Sequence, residues 1–230
     1  MWYWLLKHVL VGPLLRILGR PRVEGLQHVP ETGPVILAAN HLAAIDSLYL
    51  SLVMPRRVKF LAKQEYFVGT GLRGWFIRQV MAVTGQVAVD RTGGSAAADS
   101  LAAAKGILAA GDVWAIYPEG TRSPDGRVYR GRTGVIRVAM ETGAPVIPVV
   151  LSGTDRVQRR GRRCWRFGKV TVSFGRPRTF APADRTGVRA ATDALMNDLV
   201  TRSGRRYVNC YAATFKPSHE LPEDQERLAS

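Results

Sequence analysis

Cysteine is nearly absent. Cys164 and Cys210 are the two thiols in 230 residues, too few for a disulfide framework and without metal-ligand spacing. The expected state is two unpaired thiols in a reducing compartment. No Gly-x-Ser-x-Gly occurs, so a serine nucleophile on a strand–helix elbow has no support. No apolar run reaches the ~20 residues of a membrane span. Acidic residues are scarce: 18 against 33 Lys and Arg, a formal net charge of +15. Such a balance points to polyanions, which means nucleic acid, anionic lipid surfaces or phosphorylated substrates. Internal repeats and linkers are missing too, and the length suits a single domain.

What is there begins with an apolar stretch, Met1–Leu18, carrying Trp2, Tyr3, Trp4, Leu5, Leu6, Val9, Leu10, Val11, Leu14, Leu15, Ile17 and Leu18. Lys7, His8 and Pro13 interrupt it. No positive charge other than the terminus precedes the apolar part and no small-x-small site follows, so a signal peptide is not expected. Trp2, Tyr3 and Trp4 suit a membrane–water interface. Lys7 and Arg16 fall on opposite sides of a helix, so the wheel is not cleanly amphipathic. A helix lying on a membrane is the favoured expectation, over one packed on the domain or one crossing the bilayer. The expected division is residues 1–20 as this membrane-associating helix, 21–205 as a catalytic domain and 206–230 as a C-terminal tail.

Downstream, apolar runs alternate with helical patterns. Strands are expected at Pro34–Ala39, Val58–Ala62, Gln86–Val89, Val113–Tyr117, Val146–Leu151 and, half-exposed, Lys169–Phe174. Helices are expected at Ala43–Val53, Gly71–Thr84, Ser95–Ala110, Thr133–Thr142 (stopped by Gly143) and Pro182–Arg202. This order predicts an α/β fold: a mostly parallel sheet flanked by helices.

In open α/β sheets, ligands bind beyond the carboxyl ends of the strands. His41 follows the first strand, Lys63 the second, Arg91 the third and Glu119–Arg122 the fourth. One base and three cations thus share one edge. Five residues of helix turn about 500°, so His41 and Asp46 do not face each other on a regular helix. They meet if His41 lies in the loop and Asp46 one turn into the helix. A carboxylate on one ring nitrogen fixes the tautomer and leaves the other nitrogen as a general base. The bland alternative is a helix-capping histidine beside a surface carboxylate. Gly120 allows close backbone approach, and Arg122 suits bidentate grip of a phosphate. Gly69, Gly71 and Gly74 match Gly-x-Gly-x-x-Gly, but no strand leads directly into them, which a dinucleotide fingerprint requires.

His41-x4-Asp46 preceded by Asn40, then Gln86-Val-Ala-Val-Asp-Arg91, Glu119-Gly-Thr-Arg-Ser123, Gly131-Arg-Thr-Gly134, Val146-Ile-Pro-Val149 and Lys169–Pro177 together resemble the glycerolipid acyltransferases of the lysophosphatidate acyltransferase (PlsC-like) family. The resemblance covers about Val23–Phe180. It implies transfer of a fatty acyl group from acyl-CoA or acyl carrier protein to a hydroxyl of a glycerol phosphate lipid, without an acyl-enzyme, metal or cofactor. His41 would be the base and Asp46 its orienter. Arg91, Glu119, Gly120, Thr121 and Arg122, with Lys63 as helper, would bind the acceptor phosphate. Val146, Ile147, Pro148 and Val149 would line the acyl-donor pocket. The family often has Phe-Lys where this chain has Gly131-Arg132. The implied partners are membrane lipids and the acyl donor, at the cytoplasmic face of a membrane as a peripheral or monotopic protein.

The run Arg156–Arg178 holds nine Lys or Arg and no acid. It reads as a patch for anionic headgroups or CoA phosphates, or as a solvated loop. Nucleic-acid binding is a competing class, but no recognition signature appears, and no nucleic-acid partner is expected. The expected acceptor is lysophosphatidate, giving phosphatidate. The nearer alternative is a related acyltransferase with another acceptor, such as glycerol 3-phosphate, another lysophospholipid or a lipid-linked glycan. A hydrolase, with His41 activating water, is a weaker option.

Overall fold

The computed structural model describes residues 2–63, 71, 85–89, 96–160 and 164–215. These residues form nine strands and seven α-helices. A seven-stranded sheet runs β1-β8-β7-β2-β5-β3-β4. Its strands are β1 (Arg22–Glu24), β2 (Val35–Ala39), β3 (Val58–Lys63), β4 (Gln86–Val89), β5 (Val113–Ile116), β7 (Val146–Ser152) and β8 (Thr171–Phe174). The five from β7 to β4 are parallel. β8 runs antiparallel to β7, and β1 runs parallel to β8. This is the mostly parallel α/β sheet that the alternating pattern predicts.

β2 lies near the middle of the sheet and all five of its residues are buried. Its side chains alternate between two cores, as strand geometry demands. Val35, Leu37 and Ala39 join one core with residues of α2 (Val11–Gly19) and α3 (Asp46–Val53). Ile36 and Ala38 join the other, with α4 (Ala96–Ala109), α5 (Gly134–Thr142) and α7 (Arg185–Ser203). Helices therefore cover both faces, and two-sided burial explains why β2 is continuously apolar rather than alternating. α5 ends at Gly143 in the left-handed conformation, as the stop signal implies. α7 starts later than the expected Pro182, because the Asp184 side chain caps it by accepting from Gly187 N at 2.8 Å.

The N-terminal stretch forms α1 (Trp2–Leu5), a π turn (Leu6–Leu10) and α2. It packs on the domain: Leu15 is 1% exposed, and its carbonyl accepts from Tyr49 Oη at 3.1 Å. Lys7 Nζ donates to the carbonyl of Met54. The same stretch also presents Trp4, Val9, Leu14 and Ile17 outward. It is apolar on both sides because it faces two surroundings, which is why no clean wheel exists. No helix among the described residues is long and apolar enough to cross a membrane.

Some elements escape the apolar pattern. β6 (Val128–Tyr129) pairs in parallel with β9 (Tyr207–Val208), a second, two-stranded sheet. Beyond β9, Ala212 packs on Tyr129 and Val208, with Phe215 against them. The tail expected from residue 206 is corrected here: residues up to 215 are part of the folded body. A four-residue α6 (Thr154–Val157) follows β7. The helix expected at Gly71–Thr84 lies outside the described residues, except Gly71.

Candidate active site

The sequence places His41 just beyond β2 and Glu119–Ser123 just beyond the adjacent β5. Parallel pairing in register brings both to one edge of the sheet. His41 Nδ1 is 2.8 Å from Asp46 Oδ2. The same oxygen accepts from Leu42 N at 2.7 Å and Ala43 N at 2.9 Å. The helix therefore begins at Asp46, not at Ala43: the carboxylate ties the preceding turn to itself. Asp46 is its first residue rather than one turn in, yet the contact sought from the spacing is made. Asp46 is wholly buried, whereas the His41 side chain is 16% exposed. A carboxylate acceptor makes Nδ1 the donor, and Nε2 is the nitrogen left to take a proton.

The imidazole is held from other directions too. Tyr117 stacks flat on it, ring centroids 3.8 Å apart and planes 9° apart. Tyr117 Oη is 2.8 Å from Ser47 Oγ on α3. Burial pushes the Tyr117 hydroxyl well above its usual pKa, and the Asp46 charge adds to this, so the group stays a neutral phenol. Asn40 is buried and bridges strands: its Nδ2 donates to Leu151 O at 3.0 Å and its Oδ1 accepts from Leu151 N at 2.7 Å. Gln158 Oε1 accepts from Ile45 N at 3.0 Å, fixing the start of α3.

Glu119 is displaced from its expected role. It is 1% exposed. Its Oε1 accepts from His41 N at 3.1 Å and its Oε2 from Tyr129 N at 3.0 Å. Both oxygens face inward to backbone donors, so Glu119 braces the His41 loop rather than lining a phosphate site. Ser123 N completes the clasp by donating to His41 O at 2.8 Å. Burial raises the Glu119 pKa to about 7, opposed by those two backbone bonds.

Gly120 is exposed with φ of 75°, a left-handed conformation that favours glycine. A Cβ there would come within 2.8 Å of Arg132 Nε, so the Arg132 side chain crosses directly over it. Arg132 N donates to Pro118 O at 2.8 Å. Its neighbour Gly131 has no room for a side chain, since a Cβ would sit 2.6 Å from Met196 Sδ. This accounts for glycine where the family often has phenylalanine. Arg122 is exposed beside a cleft of about 560 Å³, lined by Thr121 and Arg122, by Arg160, and by Ala212, Ala213 and Phe215.

Lys63 ends β3, the strand beside β5, and so has its backbone at the same edge. Arg91 lies outside the described residues. Val146, Ile147, Pro148 and Val149, expected to line the acyl-donor pocket, are all buried on β7, which is flanked by β2 and β8. Ile147 and Val149 fill one core and Val146 the other. The apolar run is legible as a strand.

The geometry can be set against known proteins. Residues 20–152, more than half the chain, match the Acyltransferase family. The chain belongs to that family. Acyltransferase relatives include LPAT1, a chloroplastic 1-acyl-sn-glycerol-3-phosphate acyltransferase of Arabidopsis thaliana, 31% identical over 70% of this chain and 44% of that protein. The alpha form of 1-acyl-sn-glycerol-3-phosphate acyltransferase from Mus musculus is 28% identical over 79% of this chain and 63% of its own length. The crystal structure of PlsC from Thermotoga maritima, a 1-acyl-sn-glycerophosphate acyltransferase, superposes with a TM-score of 0.62 at 27% identity, covering 81% of this chain and 73% of that one. The chain spans about half the length of the plant relatives it matches. The PlsC-like resemblance read from the sequence holds.

Proposed function

We propose that this acyltransferase-family protein moves a fatty acyl group from acyl-CoA or acyl carrier protein to the free hydroxyl of 1-acyl-sn-glycerol 3-phosphate, yielding phosphatidate. The observation that carries the reading is the His41–Asp46 pair, 2.8 Å apart at the sheet edge beside the Glu119–Ser123 loop. His41 Nε2 takes the proton of the acceptor hydroxyl as that oxygen attacks the thioester carbonyl. Asp46 stabilises the imidazolium that forms. The tetrahedral intermediate collapses, the C–S bond breaks, and the imidazolium returns its proton to the departing thiolate. No covalent enzyme intermediate is needed. Arg122, Gly120 and Thr121 bind the acceptor phosphate, with Lys63 and Arg91 as further cations. Relatives with 1-acyl-sn-glycerol-3-phosphate acyltransferase names support this acceptor.

The protein acts at a membrane surface on the cytoplasmic side. The outward Trp4, Val9, Leu14 and Ile17 and the charge of +15 support that location.

The test is His41→Ala, assayed with labelled acyl-CoA and an acceptor panel. Transfer by the wild type to 1-acyl-sn-glycerol 3-phosphate, and a fall of roughly 10²–10⁴-fold in the variant, is expected for loss of a general base. The variant should keep its thermal midpoint. Near-normal turnover by His41→Ala would sink the mechanism.

A further inference from the structure

We propose that Arg160 joins Arg122 in a two-guanidinium cradle that selects acceptors bearing a terminal phosphate monoester over phosphodiesters. This rests on the acyl-transfer reading above and specifies its acceptor site. Arg160 lies 38 residues beyond Arg122, outside the motif loop, on the segment after α6. Its Nη1 donates to Ser123 O at 3.1 Å and, at a longer 3.4 Å, to Arg122 O. These bonds fix the guanidinium at the rim of the cleft that Thr121 and Arg122 also line. They use one nitrogen of a group with five N–H donors, leaving Nε and Nη2 for a ligand.

Charge decides the ligand class. No carboxylate lines the cleft among the described residues. Two nearby arginines are already matched, Arg127 with Asp125 at 2.7 Å and Arg205 with Asp155 at 3.2 Å, while Arg132 lies over the Tyr211 ring. Arg122 and Arg160 have no acidic partner among the described residues. Two uncompensated guanidiniums suit a dianion. A phosphate monoester carries about −1.5 to −2 at pH 7 because its second pKa is near 6. A diester has no second proton to lose and stays at a single negative charge. Guanidinium forks also match phosphate oxygens bidentately, and a monoester offers three such oxygens. At 560 Å³ the cleft has room for a headgroup of this size. Arg160 stands in a run of similar basic residues, so the sequence alone does not single it out.

The test uses one labelled acyl-CoA and two acceptors matched in acyl chain, lysophosphatidate as the monoester and lysophosphatidylglycerol as an anionic diester. Arg160→Gln removes the charge and leaves a shorter polar amide; Arg160→Lys keeps the charge without the fork. Wild type should prefer the monoester. Arg160→Gln should lower kcat/KM for the monoester by roughly tenfold or more, the weight of one charged hydrogen bond. The loss should lie in acceptor KM, with donor KM unchanged and the diester altered less than about twofold. Arg160→Lys should fall between the two. An unchanged preference in Arg160→Gln overturns the cradle and leaves the acyl-transfer reading intact. Equal losses on both acceptors also overturn it, since they make Arg160 a loop brace only. A wild type that acylates neither acceptor overturns both, a result distinct from the first two because no basal rate exists.

Discussion

At the scale of single residues, His41 is held by more than its carboxylate. Tyr117 covers one face of the ring and locks to α3 through Ser47. A stacked aromatic pair contributes about 0.5–1.5 kcal/mol beyond burial, so Tyr117→Leu should cut kcat about 3- to 10-fold with acceptor KM nearly unchanged. Tyr117→Phe keeps the ring and should lose less. A Tyr117→Leu effect confined to KM would place Tyr117 in binding instead. Glu119 gives a pH-dependent prediction. Its folded pKa of about 7 lies above the ordinary 4.5, so between these values the folded state binds more protons than the unfolded. Stability should therefore decline as pH rises from about 4.5 to 7. Denaturation midpoints of wild type should drop across that window relative to Glu119→Gln, which has no proton to lose; parallel profiles would refute the assignment. The His41–Asp46 pair was legible because both partners sit five residues apart in one segment. The bracing by Glu119 was not, because a buried carboxylate and a phosphate-site carboxylate look identical in a motif. Tyr117 had a faint signal, lying just ahead of Pro118 and Glu119, but ring stacking across two strands leaves no trace in spacing.

At the scale of elements, buried length governs what can be read. β2 and β5, and β7 up to Leu151, are continuously apolar because helices cover both faces, and their positions follow from the sequence. β1, β6 and β9 have two or three residues each. They carry no period, and their pairings join distant segments, such as Val128 with Tyr207. The same two-sided burial that reveals β7 as a strand places Val146–Val149 inside the fold. Asn40 shows how an element boundary serves the site. Its amide pairs with both backbone groups of Leu151, extending the β2–β7 junction by a side chain where the chain leaves to reach His41. Asn40→Ala would strand a buried donor and acceptor, at roughly 1–3 kcal/mol for an unsatisfied group. Urea unfolding should show that loss, and kcat should fall with it as the His41 loop loosens. A variant as stable as wild type would mean the bridge is not made.

At the scale of the whole molecule, the N-terminal helices serve the core and an outer surface together. Gly168 N donates to Leu18 O and Val170 N to Gly19 O, both within 2.8 Å. These bonds carry Phe167, 73% exposed, alongside the same stretch as Ile17, 61% exposed, and Trp4, 60% exposed. Arg16, Arg20, Arg166 and Lys169 come with them. Exposed apolar side chains with cations close by in the chain fit an anionic lipid surface: the rings and aliphatic chains enter the interface and the cations meet headgroups. Deleting residues 1–18 is a poor test, because it also removes Leu15 from the core and the carbonyl that Tyr49 bonds. Serine at Trp4, Leu14, Ile17 and Phe167 leaves those contacts in place. This fourfold variant should keep its thermal midpoint within about 2 °C, since exposed positions shift stability little. It should lose most of its cosedimentation with vesicles of mixed zwitterionic and anionic lipid. Wild-type binding should weaken between 50 and 500 mM salt as surface charge is screened. Acylation of a lipid acceptor presented in those vesicles should fall with binding, while transfer to a short-chain, monomeric acceptor should persist. Full cosedimentation of the variant would move membrane attachment away from this face.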